Sequence, residues 1–218
     1  MKLERYVLGA MILASSAHAQ IEPDAATVAY FNSKSFGEMT VFFGMTLDKA
    51  FLNMEQCAGS YGYDPITFSI VEPLRFAASN THPVAGKWSY RFNFKRCGSE
   101  KIYNAMWQAR PSGMPMPAAL PPGMSRADLS LAMTIKNAVA SAGLREFGVP
   151  QECNAIRVLD TRVTLQPTQL TVGGVPREGV WEEEWTAHMC GVEFIAPICL
   201  IPMGSGRGTN WIAKSCPK

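Results

Sequence analysis

The chain has 218 residues, with 20 Lys plus Arg against 18 Asp plus Glu and a formal net charge of +2. That balance gives no electrostatic reason to bind nucleic acid or an anionic membrane surface. A hydrophobic content of 47% with 17% charged residues excludes a disordered chain and can fill one domain or two small ones.

The first residues carry Lys2 and Arg5, then an apolar run over 7–14, then Ser15-Ser16-Ala17-His18-Ala19 before Gln20. A basic start, a short apolar stretch and an A-x-A site are the parts of a secretory signal peptide, expected over 1–19. The run is too short to anchor the chain across a bilayer. Removing Lys2 and Arg5 together with Glu4 lowers the net charge from +2 to +1. The expectation is a periplasmic or secreted protein that starts at Gln20 and has no membrane span in its mature chain. No Cys follows the cleavage site, so a bacterial lipid anchor is not indicated. Export moves the six cysteines away from the reducing cytosol, and disulfides are expected.

Residues 20–37 show no clear period and read as a loop with one edge strand near 27–31. Thr46 reads as a helix cap, and Leu47, Ala50, Phe51 and Met54 recur at helical spacing up to Cys57. Two short strands follow, over 66–72 and 74–78, the first closed by Pro73. Between 88 and 96, Trp88, Tyr90, Phe92 and Phe94 alternate with Ser89, Arg91, Asn93 and Lys95, which predicts a strand with one aromatic face. Cys97-Gly98 is the turn of a hairpin whose return strand covers 101–109.

Residues 110–124 hold five prolines and read as a Pro/Met-rich linker between a first repeat over 20–109 and a second over 125–218. Ser125 reads as the cap of a second helix, with Leu129, Met133, Ala138, Val139 and Ala142 at helical spacing and Gly148 and Pro150 as the stop. Strands are expected over 156–165 and 169–172, then the Gly173-Gly174 turn, then a strand from Trp181.

The two Trp strands share one pattern, W-x3-aromatic-x4-C-G-x-E-x-I, beginning at Trp88 and at Trp181. Trp and Cys number only 5 and 6 in the chain, so matched spacing points to an internal duplication. Its repeating core is Trp88 and Phe92 in one half, Trp181 and Trp185 in the other. Cys57 precedes Trp88 by 31 residues and Cys153 precedes Trp181 by 28, so the halves correspond with a short deletion. The duplication predicts Cys57–Cys97 and Cys153–Cys190, which leaves Cys199 and Cys216 for each other. A residue nine positions from the Trp falls on the opposite face of a perfect strand, so each of Cys97 and Cys190 is expected at the turn itself. The fold class expected is α+β, a tandem duplication of a helix plus antiparallel β-sheet unit, stabilised by disulfides.

Chemistry is sparse. The mature chain has two histidines, His82 and His188, without a G-x-S-x-G elbow, and both read as surface residues. C-x-x-C and zinc spacings are absent. The glycine-rich stretch 204–209 follows a Pro-interrupted strand and lacks the Lys of a phosphate loop, so it reads as a flexible loop. Two patterns stand out. Met114, Met116 and Met124 gather soft thioethers near the linker, a donor type that suits Cu(I). Glu182, Glu184 and His188 share one face of the second Trp strand, as an acid and a base acting on a glycan or peptide would.

Trp181, Trp185, Cys190-Gly191, the later Gly206-Arg207-Gly208-Thr209-Asn210 and Ala127-Asp128-Leu129 together resemble segments of small secreted proteins of Gram-negative bacteria. The resemblance covers about a fifth of the chain, implies no activity and supports the periplasm. The favoured reading is a protein with no catalytic residues and no cofactor, binding a partner protein or envelope component through the Pro-Met linker or the C-terminal loop. An envelope enzyme using Glu182, Glu184 and His188, and copper handling through the methionines, are the alternatives.

Overall fold

The structure is a computed structural model and describes residues 21–78, 80–203 and 208–217. The leader over 1–19 and most of the glycine-rich loop, residues 204–207, lie outside the described residues. The chain divides between Leu120 and Pro121 into two compact units, each with helix and one four-stranded antiparallel sheet.

The first unit starts with α1 (Ala25–Phe31), where a strand is expected from sequence. Asp24 overrides that expectation: its side chain accepts the Thr27 N–H at 2.7 Å and nucleates the turn. The same bond holds the Asp24 carboxyl below its ordinary range. Ser33 caps α2 (Lys34–Leu47) by accepting the Phe36 N–H at 3.1 Å. The helix is therefore capped 13 residues before Thr46, the cap expected from sequence. Thr46 is an interior residue whose hydroxyl donates back to the Phe42 carbonyl at 3.0 Å. A single π-helical turn over Asp48–Leu52 ends the helix at Asn53, in the left-handed region at φ 51°.

Strands β1 (Tyr61–Arg75), β2 (Ala85–Arg96), β3 (Ser99–Gln108) and β4 (Met116–Leu120) form the first sheet in that order. β1 is one strand where two were expected. It lies at the edge of its sheet, where Pro65 and Pro73 are tolerated and register shifts absorb the irregularity. β4 falls inside the stretch read as a linker. Pro117 sits opposite Trp107 in an edge strand, a position that does not require its missing N–H. The aromatic face of β2 is buried as its alternation predicts, with Trp88, Phe92 and Phe94 all at 0% exposure and packed in one cluster with Phe36, Phe43 and Leu47 of α2.

In the second unit α3 (Leu129–Glu146) is capped by Asp128, which accepts the Leu131 N–H at 2.8 Å. Ser125, the cap expected from sequence, instead accepts the Ala127 N–H ahead of the helix. Ala132, Ile135, Ala138, Val139, Ala142 and Gly143 are buried, whereas Met133 is exposed. Strands β5 (Ile156–Val172), β6 (Val175–Met189), β7 (Val192–Pro202) and β8 (Thr209–Ile212) repeat the order of the first sheet. β5 is again one strand with register shifts where two were expected. β7 is buried on both faces from Ile198 to Ile201, because the C-terminal tail covers its second face: Cys216 joins Val180, Cys199 and Ile201 in a small separate core.

Three disulfides close the described chain: Cys57–Cys97, Cys153–Cys190 and Cys199–Cys216. Cys97 and Cys190 both stand in two-residue hairpin turns with positive φ, 42° and 44°, each followed by a glycine with φ above 80°. Two left-handed residues in succession make a turn whose twist matches its strands, and they free the Cys from the pleat.

Helices α2 and α3 each approach their sheet through a glycine. A Cβ on Gly44 would lie 2.8 Å from Phe94 Cγ, and one on Gly143 would lie 2.7 Å from Phe194 Cζ and 3.0 Å from Met189 Sδ. Gly44→Ala and Gly143→Ala are each expected to cost about 1–3 kcal/mol by forcing these side chains aside. Thermal melts check this against Gly62→Ala, whose Cβ meets nothing within 4 Å.

Candidate functional site

β6 carries the acidic cluster, and its pleat sorts the residues. Trp181, Glu183, Trp185, Ala187 and Met189 are buried on the α3 side, and Glu182, Glu184 and His188 are half-buried on the other. The three residues expected to share a face do so. Each is engaged by a neighbour. Glu182 accepts from the Thr164 hydroxyl at 2.9 Å and from the Cys216 N–H at 2.6 Å. Glu184 accepts from Arg162 Nε at 2.6 Å. Arg157 Nη2 lies 3.1 Å from His188 Nδ1, and only the arginine can donate in that pair, which leaves the imidazole proton on Nε2.

A strand rises about 3.4 Å per residue, so Glu182 and His188 stand roughly 20 Å apart along β6. One reacting bond cannot be reached from both. The arrangement is a ladder of cross-strand pairs that fixes the register of β5 on β6.

Sequence reasoning passed over Glu183, which points the other way and is fully buried. Its Oε1 accepts from the Arg126 backbone N–H at 2.8 Å and from Trp181 Nε1 at 2.9 Å, and its Oε2 accepts from Trp185 Nε1 at 2.9 Å. Beside it the Thr161 hydroxyl donates to the Pro122 carbonyl at 2.6 Å and accepts the Ser125 N–H at 3.0 Å. Gly123, at φ 96°, lets this segment lie against Thr161, where a Cβ would fall 2.6 Å from the Thr161 nitrogen. Glu183 and Thr161 thus fasten the entry to α3 onto the sheet. The signal in the sequence was a carboxylate flanked at i−2 and i+2 by tryptophans, two N–H donors on its own face.

The first unit has its own buried acid. Asp48, 3% exposed, accepts from Arg96 Nη1 at 2.8 Å and from the Tyr103 hydroxyl at 2.5 Å, closing the end of α2 onto β2 and β3. Burial, with Asp48 beside it, pushes the Tyr103 phenol well above its ordinary range.

Trp88 and Phe92, and Trp181 and Trp185, lie on the buried faces of β2 and β6. The methionines are elsewhere. Met114 and Met116 are exposed in the first unit, where Arg110 Nη2 contacts Met116 Sδ at 2.6 Å, and Met124 is exposed in the second. No group of three His, Cys, Asp or Glu placed to hold a metal occurs among the described residues.

His82 is not free at the surface. Its Nδ1 lies 3.3 Å from the Tyr30 hydroxyl and its Nε2 lies 3.4 Å from Ser35 Oγ, and burial lowers its pKa below 6.5. The fold therefore favours the neutral ring. Its contribution to stability is complete above the unfolded value of about 6.5 and is lost as pH falls below it toward the depressed folded value. The gap in melting temperature between wild type and His82→Gln is expected to be wider at about pH 7.5 than at about pH 5. Equal gaps would show that the imidazole does not titrate differently on folding.

No protein-family model, curated protein or solved structure matches the chain. No described helix is long and apolar enough to cross a membrane.

Proposed function

We propose that this is an exported protein of the cell envelope, cleaved after residue 19, that acts by binding a partner protein and not through chemistry at its acidic strand. Duplication of one αβ unit gives it two disulfide-clipped scaffolds, and the Pro-Met segment beside β4 is the contact surface. The resemblance to small secreted proteins of Gram-negative bacteria supports the compartment, as do three disulfides. The observation that carries the binding reading is apolar exposure at that segment: Met114 and Met116 are 57% and 48% exposed, next to an edge strand. Unbranched thioether side chains on a surface adapt to an apolar partner face.

The test places a photo-crosslinking amino acid at Met114, at Met116 and, as a control on the other unit, at exposed Ile195, in cells that express the full chain. A mature N-terminus at Gln20 in the periplasmic fraction and a discrete adduct from the methionine positions alone are expected. Equal labelling at Ile195, or none at the methionines, would retire the surface, and retention of residues 1–19 in the cytosol would retire the compartment.

A further inference from the structure

The loop that joins β1 to β2 brings a histidine against the start of α2. Val84 N–H closes the loop by donating to the Arg75 carbonyl at 2.7 Å, and Pro83, which is buried, restricts the backbone of the residue before it. His82 is thereby held in place. Its ring meets the Tyr30 ring edge-on at 5.9 Å between centroids, and Tyr30 is anchored in turn against Phe31, Phe36, Phe76 and Trp88. Ser35, 3.4 Å from His82 Nε2, is the second residue of α2. Ser33 takes the Phe36 N–H with its hydroxyl and the Gly37 N–H with its carbonyl. That leaves the N–H groups of Lys34 and Ser35 as the first-turn donors with no acceptor within the helix. Ser35 and His82 are both half-buried, reachable from solvent yet fixed from behind.

We propose that Ser35, His82 and Tyr30 form an acyl-transfer site for short-chain carboxylic esters, with Ser35 as nucleophile, His82 as general base and Tyr30 as a positioning residue. Either ring nitrogen can carry the proton in these two contacts, and catalysis uses the tautomer in which Nδ1–H donates to the Tyr30 oxygen and Nε2 accepts a proton. Ser35 Oγ forms a bond to the ester carbonyl carbon while its proton passes to Nε2, and the carbonyl electron pair moves onto oxygen. The pair then returns, the carbon–oxygen bond to the alcohol breaks, and the alcohol leaves with the proton from Nε2. Water repeats the sequence on the acyl-serine, releases the carboxylic acid and restores Ser35. Nothing is oxidised or reduced. The half-exposed position suits small acyl groups, and a neutral phenol in place of a carboxylate orients the imidazole without offsetting its charge, so both steps are slow, and an ester with a good leaving group acylates Ser35 faster than water frees it. This activity is separate from partner binding and stands or falls apart from it.

The test treats the mature, disulfide-intact protein with a fluorophosphonate probe and, in parallel, with p-nitrophenyl acetate. The expected result is covalent probe on Ser35 by peptide mass spectrometry and a burst of nitrophenolate stoichiometric with protein. Ser35→Ala should abolish both. His82→Gln should slow labelling by about 100-fold or more. Tyr30→Phe should lower kcat at unchanged KM, a change that loss of packing alone would not confine to kcat. Melting temperatures accompany each variant, and Ser35→Ala, which deletes one half-exposed hydroxyl, decides the matter if His82→Gln or Tyr30→Phe fails to fold. An unlabelled Ser35, or a Ser35→Ala variant that reacts as fast as wild type, would overturn the assignment.

Discussion

Glu183→Ala is expected to destabilise the second unit by about 3–5 kcal/mol, because it leaves the Trp181 and Trp185 indoles and the Arg126 N–H buried without an acceptor. For a unit of this size, each kcal/mol lowers the melting temperature by about 4–8 °C, so the loss is at least about 12 °C. Tryptophan fluorescence and near-ultraviolet circular dichroism report it directly, since two of the orphaned donors are the chromophores. Glu183→Gln keeps one acceptor but turns an amide N–H toward an indole N–H, and an intermediate loss is expected. Glu184→Ala is the contrast. One residue along, it removes a pair with an arginine whose side chain is 67% exposed, and such pairs contribute less than about 1 kcal/mol. If Glu183→Ala and Glu184→Ala melted alike, the buried carboxylate would not be what fastens α3 to its sheet.

That contrast also separates what the sequence makes legible from what it does not. The period-two rule placed Glu182, Glu184 and His188 on one face correctly, but a face says nothing of what lies opposite. Arg157, Arg162 and Thr164 on β5 occupy those side chains, and their register depends on shifts in β5 that no local pattern encodes. The Trp strands and the Cys pairings were readable because aromatic alternation and matched intervals are strong, redundant signals. The helix starts differ from expectation for a local reason: Asp24 and Ser33 are caps that precede aromatic segments, and Phe36, Phe43 and Leu47 carry a helical spacing that begins well before Thr46. Ser35 and His82 lie 47 residues apart in sequence, and only the loop closed at Val84 brings them together.

Reduction of the three disulfides is expected to unfold the protein near room temperature. In the chain-entropy account, closing loops of 40 and 37 residues stabilises the fold by about 4 kcal/mol each, and closing one of 17 residues by about 3 kcal/mol. The second unit, which holds two of the bridges, loses about 7 kcal/mol and the first about 4 kcal/mol, against a domain stability of about 5–15 kcal/mol. Access orders the events. Cys97 and Cys190 are exposed in their turns, whereas Cys199 and Cys216 are both buried where the tail packs on β7. A thiolate must reach a sulfur in line to displace its partner, so the two hairpin bridges should open first and Cys199–Cys216 last. Trapping free thiols at intervals during mild reduction, with peptide mapping and circular dichroism on the same samples, reads both the order and the loss of structure. Early opening of Cys199–Cys216 would mean that the tail frays from β7 on its own. A fully reduced protein that kept its near-ultraviolet signal and its melting temperature would show that the two aromatic cores suffice without the bridges.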